Sequence, residues 1–175
     1  MIVRSHILET LKILDQKYNS AVGAKEPLLY SKLAIIELCG WIEESMDDIV
    51  LRCARHYLKN EDNIKYVKNE IVKRTYGFEY DTHFRRMLIQ LLGIINVERI
   101  EKNVDLNKRE KFKAALNTLK NPRNSAAHTH VKGILRHIDT PSVTLGHFMS
   151  LYEGLIEFDA ILKKQNFRSI GRKEN

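Results

Sequence analysis

One short stretch gathers residue types that could do chemistry together: Asn121-Pro122-Arg123-Asn124-Ser125-Ala126-Ala127-His128-Thr129-His130. Asn121 reads as a helix N-cap and Pro122 as the first helical residue. Arg123 and Asn124 then fall in a first turn, where unpaired backbone N–H groups and the positive end of the helix dipole suit a phosphate. A purely structural helix would gain more from Asp or Glu at those positions. His128 lies one turn beyond Asn124 on the same face. Its imidazole titrates near neutral pH, so it can take or give a proton. Ala126 and Ala127 are small and leave room for a substrate or a neighbouring helix. An arginine, an asparagine and a histidine converging on a helix start would make a phosphodiester-cleaving set. Arg123 and His128 are five residues apart, roughly 140° around a helix axis, so one copy does not aim both at one phosphate.

The residues around this stretch allow fewer inferences. His128 and His130 are splayed about 160° apart on a helix, a poor geometry for a shared metal, and no Cys or carboxylate cluster accompanies them. No metal and no cofactor is expected. Lys120, His130 and Lys132 flank the stretch and could contact a nucleic-acid backbone; Arg136 and the run Lys108, Arg109, Lys111 and Lys113 could guide one, or form an ordinary solvated face. Glu43 or Glu44 could orient Arg123 or His128, or both could belong to a solvated or salt-bridged face. His6, His56, His83, His137 and His147 have no partner pattern and read as surface or cap residues. Met46, Met87 and Met149 read as core.

The elements that must position these residues are helices. Only 8 Gly and 3 Pro interrupt 175 residues, which favours long helices over many short strands. Apolar stripes predict helices over 3–18, 27–58, 60–76, 81–95, 107–119 and 140–162. Asn60 and Asp81 serve as caps and Asn107 to Glu110 as a capping box. Gly77 ends the third helix. Pro27 and Pro141 open the second and last helices. The second helix is apolar around much of its circumference near Ala34 to Ile42 and so is central, with Gly40 a place where another helix could approach closely. The fold class is all-α, a mostly antiparallel bundle of about five to six helices in one domain spanning 1–175, with a frayed basic tail over 166–175.

Net charge is +7, from 29 basic and 22 acidic residues, and points toward a polyanionic partner. Cys39 and Cys53 fall on one helix about 21 Å apart, too far for a disulfide, so reduced thiols in the cytoplasm are expected. No apolar run approaches the roughly 18 residues a membrane span needs.

The pattern Arg-Asn-x-x-Ala-His, here Arg123 to His128, resembles the signature of HEPN domains, in which four to six residues separate an arginine and a histidine. The stretch 33–49, with Trp41 and Glu43-Glu44, resembles the long acidic helix that precedes that signature in the family. The likeness covers roughly 29–162 and is closest to the RiboL-PSP-HEPN group. It implies an HEPN-like helical fold and a metal-independent endoribonuclease, working as a homodimer with two signatures facing each other in a composite site. It also implies a toxin or phage-defence role, with a cognate antitoxin or defence partner protein. Arg123, Asn124 and His128 would be the catalytic residues. Other members of the family are catalytically silent and serve in RNA binding or protein assembly.

Overall fold

Apolar positions at helical spacing bury one face of each long segment, and the segments close on one another through those faces. The computed structural model describes residues 2–128 and 138–164, with the backbone alone of His128. Helix α1 (Ser5–Ser20) buries Ile7, Leu11 and Leu14. Helix α2 (Lys25–Tyr57) buries Ala34, Ile35, Leu38, Ile42, Met46, Ile49 and Val50, and packs against α1 and two later helices, α6 (Leu106–His128) and α7 (Pro141–Lys164). Its 33 residues span about 50 Å. This helix is the centre of the bundle. Fully burying each large apolar side chain along it contributes about 1.5–3 kcal/mol.

Between α2 and α6 the chain is less regular than its sequence suggests. Asn60 caps α3 (Glu61–Tyr66) as expected, its side chain accepting the Asp62 N–H at 2.7 Å. The helix then widens into a π turn (Val67–Ile71) and tightens into a 3-10 turn (Val72–Arg74). Gly77, at φ +128°, reverses the chain. A second π turn (Tyr80–Phe84) feeds α4 (Arg85–Leu92). Glu79, not Asp81, stands at the N-cap position of this turn. The single helix expected over 81–95 is divided at Gly93, whose φ of +79° breaks the helix, and α5 (Ile94–Asn103) leaves in a new direction with Ile95 exposed. The cap of α6 also differs from the capping box expected at Asn107: Asp105 accepts the Lys108 N–H at 2.9 Å, and Glu110 turns to Arg109. The described residues therefore hold seven α-helices and no strand, two of them produced by the break at Gly93. None is long and apolar enough to cross a membrane.

An aromatic cluster locks α6 and α7 to the second π turn. Tyr80, Phe84, Phe112 and Phe158 meet at centroid distances of 5.3 to 6.3 Å, mostly edge to face. Gly154 of α7 is where Phe112 enters: a Cβ on Gly154 would stand 2.5 Å from the Phe112 ring. Gly40, expected to admit a neighbouring helix, is instead exposed, with nothing within 4 Å of its would-be Cβ. Met149 is likewise exposed rather than core, while Met46 and Met87 are fully buried. Cys39 and Cys53 are both free and buried on α2, and burial pushes each thiol up to about 12, so neither is a ready nucleophile.

The two glycines make a matched pair of substitutions. Gly154→Ala should destabilise the fold by about 1–3 kcal/mol through overpacking against Phe112. Gly40→Ala should be neutral or stabilise by up to about 1 kcal/mol, because it only improves helix propensity. Urea denaturation midpoints compare them directly; equal midpoints would mean that α6 does not rest on Gly154.

Candidate functional site

Helix α6 continues through the stretch that the sequence assigned to a helix start. It runs from Leu106 to His128 with Pro122 inside it. Asn121 is therefore not an N-cap, and Arg123 and Asn124 have no helix N-terminus beneath them. The reason lies in the apolar face. Phe112, Ala115, Leu116, Leu119 and Ala126 are buried along one stripe, which resumes at Ala126 beyond Pro122. Packing of the stripe outweighs the backbone hydrogen bond that proline removes.

Continuity of the helix changes what Arg123 is. It follows Leu119 by four residues and Leu116 by seven, so it occupies a core-facing position of α6. Its side chain is 34% exposed and reaches across to α2, where one guanidinium nitrogen lies 4.0 Å from the Glu43 carboxylate. Another guanidinium nitrogen donates to the Asn124 side-chain oxygen at 3.2 Å. Asn124 itself is exposed. Position 128 closes the helix about 140° around the axis from position 123. His130, Lys132 and Arg136 lie outside the described residues, as do the side chain of His128 and the tail beyond Lys164.

Of Glu43 and Glu44, Glu43 is the one whose contact with Arg123 the structure records. Glu43 lies on the flank of the buried α2 stripe, and its second carboxylate oxygen accepts the backbone N–H of Gly77 at 2.6 Å. Glu44 lies one position further round and is exposed. The sequence already held this distinction. On α2, position 43 stands about 100° from the centre of the buried stripe and position 44 about 200°.

A turn that carries no motif of its own completes the arrangement. At 75–79 the chain folds back beneath α2 and α6. Glu79 accepts Lys120 Nζ at 3.0 Å, and its backbone N–H donates to His83 Nδ1 at 3.2 Å. His83 is thus a cap, as its lone position suggested. Gly77 has no alternative residue: beyond its positive φ, a Cβ there would meet the His83 ring at 2.6 Å. Glu101 anchors the far side of the turn, taking a hydrogen bond from the Tyr80 hydroxyl at 2.7 Å and from Arg85 Nε at 2.8 Å. Of the other basic residues of α6, Lys113 is paired with Asp81, Lys108 with Glu157 and Arg109 with Glu110.

Beside Glu43 lies an open hollow of about 480 Å³ bordered by Gly40, Glu43, Glu44, Asp47, Lys73 and Tyr76. Burial, and then the negative charges of Glu43 and Glu44, raise the Asp47 carboxyl to about 7. A second hollow, about 340 Å³, lies between Arg52, Cys53, His56, Asp159 and Lys163. Its Arg52 and Lys163 are already committed to the buried Asp159, at 3.1 and 2.6 Å. Among the described residues no group of three or more His, Cys, Asp or Glu is disposed to hold a metal ion.

The described residues thus define an all-α helical protein with a cationic side chain held at an inward helix position by a carboxylate. Compared with known proteins, the chain matches no family model, and no curated protein or solved structure is significantly similar to it.

Asp47 gives the site a pH signature. The unfolded chain loses this proton near the ordinary carboxyl value of 3.8, and the folded chain keeps it until about 7. The folded state therefore binds the extra proton between those values, and stability falls as pH rises from about 4 to 7, then levels. Asp47→Asn should remove that slope and raise stability at pH 8 by on the order of 1 kcal/mol. Chemical denaturation at pH 4, 6 and 8 tests it; identical pH profiles for the two proteins would show that Asp47 titrates normally.

Proposed function

We propose that this chain is an endoribonuclease of the HEPN type that cleaves RNA without a metal ion, acting as a homodimer in a toxin or defence role. One observation carries the reading. Arg123 sits at a core-facing helix position, where an apolar residue would pack better, yet it keeps a third of its side chain exposed and is oriented by Glu43 and Asn124. An orienting network around a partly exposed cation, five residues before a histidine, suits phosphate chemistry better than packing.

The chemistry follows from RNA itself. The 2′-hydroxyl attacks the adjacent phosphorus; a bond from phosphorus to the 2′-oxygen forms, and the bond to the 5′-oxygen of the next nucleotide breaks. A base must take the 2′ proton and an acid must protonate the leaving 5′-oxygen, and His128 suits either role. Arg123 stabilises the charge that builds on the phosphoryl oxygens. Asn124 holds Arg123 and can hydrogen-bond the phosphate. The products are a 2′,3′-cyclic phosphate and a 5′-hydroxyl. Because positions 123 and 128 diverge around one helix, a second copy would bring the missing group to each phosphate. His130 and Lys132 are the residues assigned to the flanking RNA backbone.

Arg123→Ala and His128→Ala should each lower cleavage of labelled RNA in EDTA by at least about a hundredfold while shifting stability by no more than about 1 kcal/mol. A substrate with 2′-deoxyribose at one cut site should be spared at that bond alone. Full activity in either variant would remove that residue from the site, and a strict need for a divalent ion would overturn the mechanism. The partial neutralisation of Arg123 by Glu43 favours one rival, a catalytically silent module for RNA binding or assembly. Wild-type protein that binds RNA without cutting it would establish that rival.

Light scattering at micromolar concentration should show a dimer, its interface including the end of α6 and burying more than about 1,000 Å². A monomer that still cleaves would sink the composite site.

A further inference from the structure

Lys120, a candidate contact for the RNA backbone, also has a partner within the fold. Its ammonium group is paired with Glu79 at 3.0 Å. It precedes Arg123 by three residues, so the two side chains leave neighbouring points of α6, about 60° apart around the axis. Lys120 reaches the 75–79 turn itself, and Arg123 reaches a residue of α2 that the turn holds. Lys120 holds Glu79 directly, and Arg123 meets Glu43, whose other oxygen is held by the Gly77 N–H at 2.6 Å. Two residues of one turn thus fix two neighbouring cations of one helix. The turn can serve as a fixed reference because Gly77 fits only without a Cβ, His83 holds the Glu79 N–H, and Glu101 ties down Tyr80 and Arg85 behind it.

We propose that Lys120 is a positioning residue: its ion pair with Glu79 holds α6 against the 75–79 turn, so that Glu43 presents the Arg123 guanidinium to the scissile phosphate. The catalytic part of this inference rests on the ribonuclease reading; the coupling of Lys120 and Glu79 to Arg123 does not. The proposal separates two tasks for basic residues near the site. A phosphate contact works through its own charge. A positioning residue works through a partner, so removing the partner's negative charge does the same harm as removing the lysine. Both side chains are partly exposed, and an ion pair of this kind adds little to global stability, so the variants should fold.

The test compares Lys120→Ala, Glu79→Gln and the two combined in the full chain. A short RNA containing a single cut site reports kcat and KM at several salt concentrations. Positioning lowers kcat by about tenfold in each single variant, leaves KM within about twofold, and makes the combined variant no worse than either alone. A phosphate contact instead raises KM for Lys120→Ala at unchanged kcat, flattens the salt dependence by about one contact, and leaves Glu79→Gln as active as wild type or more so. That pattern would overturn the proposal. A second readout needs no substrate: the Nε–H resonance of the Arg123 guanidinium, identified by its loss in Arg123→Lys. It should shift in both single variants, and an unmoved signal would overturn the coupling. Should the wild-type chain cut no RNA, the ribonuclease reading falls, and the coupling is decided by this resonance alone.

Discussion

Phe112 of α6 lies over Gly154 of α7 at a distance that leaves no room for a methyl group, and the rest of the site inherits its placement from that contact. The ring is fully buried and shares an aromatic cluster with Tyr80, Phe84 and Phe158. This single cluster joins three parts of the chain that are distant in sequence: the π turn at Tyr80–Phe84, the first half of α6 and the second half of α7. Edge-to-face aromatic pairs hold angle as well as distance, so the axis of α6 is set near its start. Lys120 and Arg123, two and three turns further along, then fall opposite the 75–79 turn and the flank of α2.

The continuation of α6 through Pro122 shows which force wins there. An interior proline costs a helix about 3 kcal/mol, from the missing N–H and the clash with the carbonyl four residues earlier. Against this stand the apolar stripe that ends at Leu119 and the fully buried Ala126 beyond the proline. The consequence is chemical. At a helix start, Arg123 would have shared the positive dipole and the unpaired N–H groups of the first turn. Inside the helix it has neither, and the backbone offers no cradle for an anion. Whatever orients this guanidinium must come from side chains, and Glu43 and Asn124 are the ones in place.

Much of the bundle was legible from periodicity, because stripes as long as those of α2 and α7 leave little freedom about which face is buried. Local chemistry was legible too where one side chain decides it, as at the Asn60 cap and the Pro141 start. What escaped was decided between elements. Gly93 breaks a stripe that reads as continuous, since a glycine at positive φ and a glycine in a helix look alike in sequence. Gly154, not Gly40, is the packed glycine, and only the neighbouring helix distinguishes a packed glycine from an exposed one. At the candidate site, the motif residues were singled out by type and spacing, but the 75–79 turn was not, because its contributions, the Gly77 N–H and the Glu79 carboxylate, have no pattern that marks them in sequence.

Pairing Arg123 with a carboxylate looks at first like a way to disable it. The distances argue otherwise. At 4.0 Å the Glu43 contact is at the outer limit of an ion pair, and the shorter, 2.6 Å bond of that carboxylate is spent on the Gly77 N–H. A guanidinium carries five N–H donors in a rigid fork. One is directed to Asn124 and one faces Glu43, which leaves further donors of the fork for another anion such as the proposed phosphate. An arginine on a flexible stem, with no such partner, would have to lose its rotamer freedom when substrate arrived. Here that ordering is done in the folded chain, and the cost is a weakened local field. On the proposed ribonuclease reading, a second copy of the chain would offset that cost by bringing a second arginine to the same phosphate, and the carboxylate that orients Arg123 would then be a physical reason for a site of two chains.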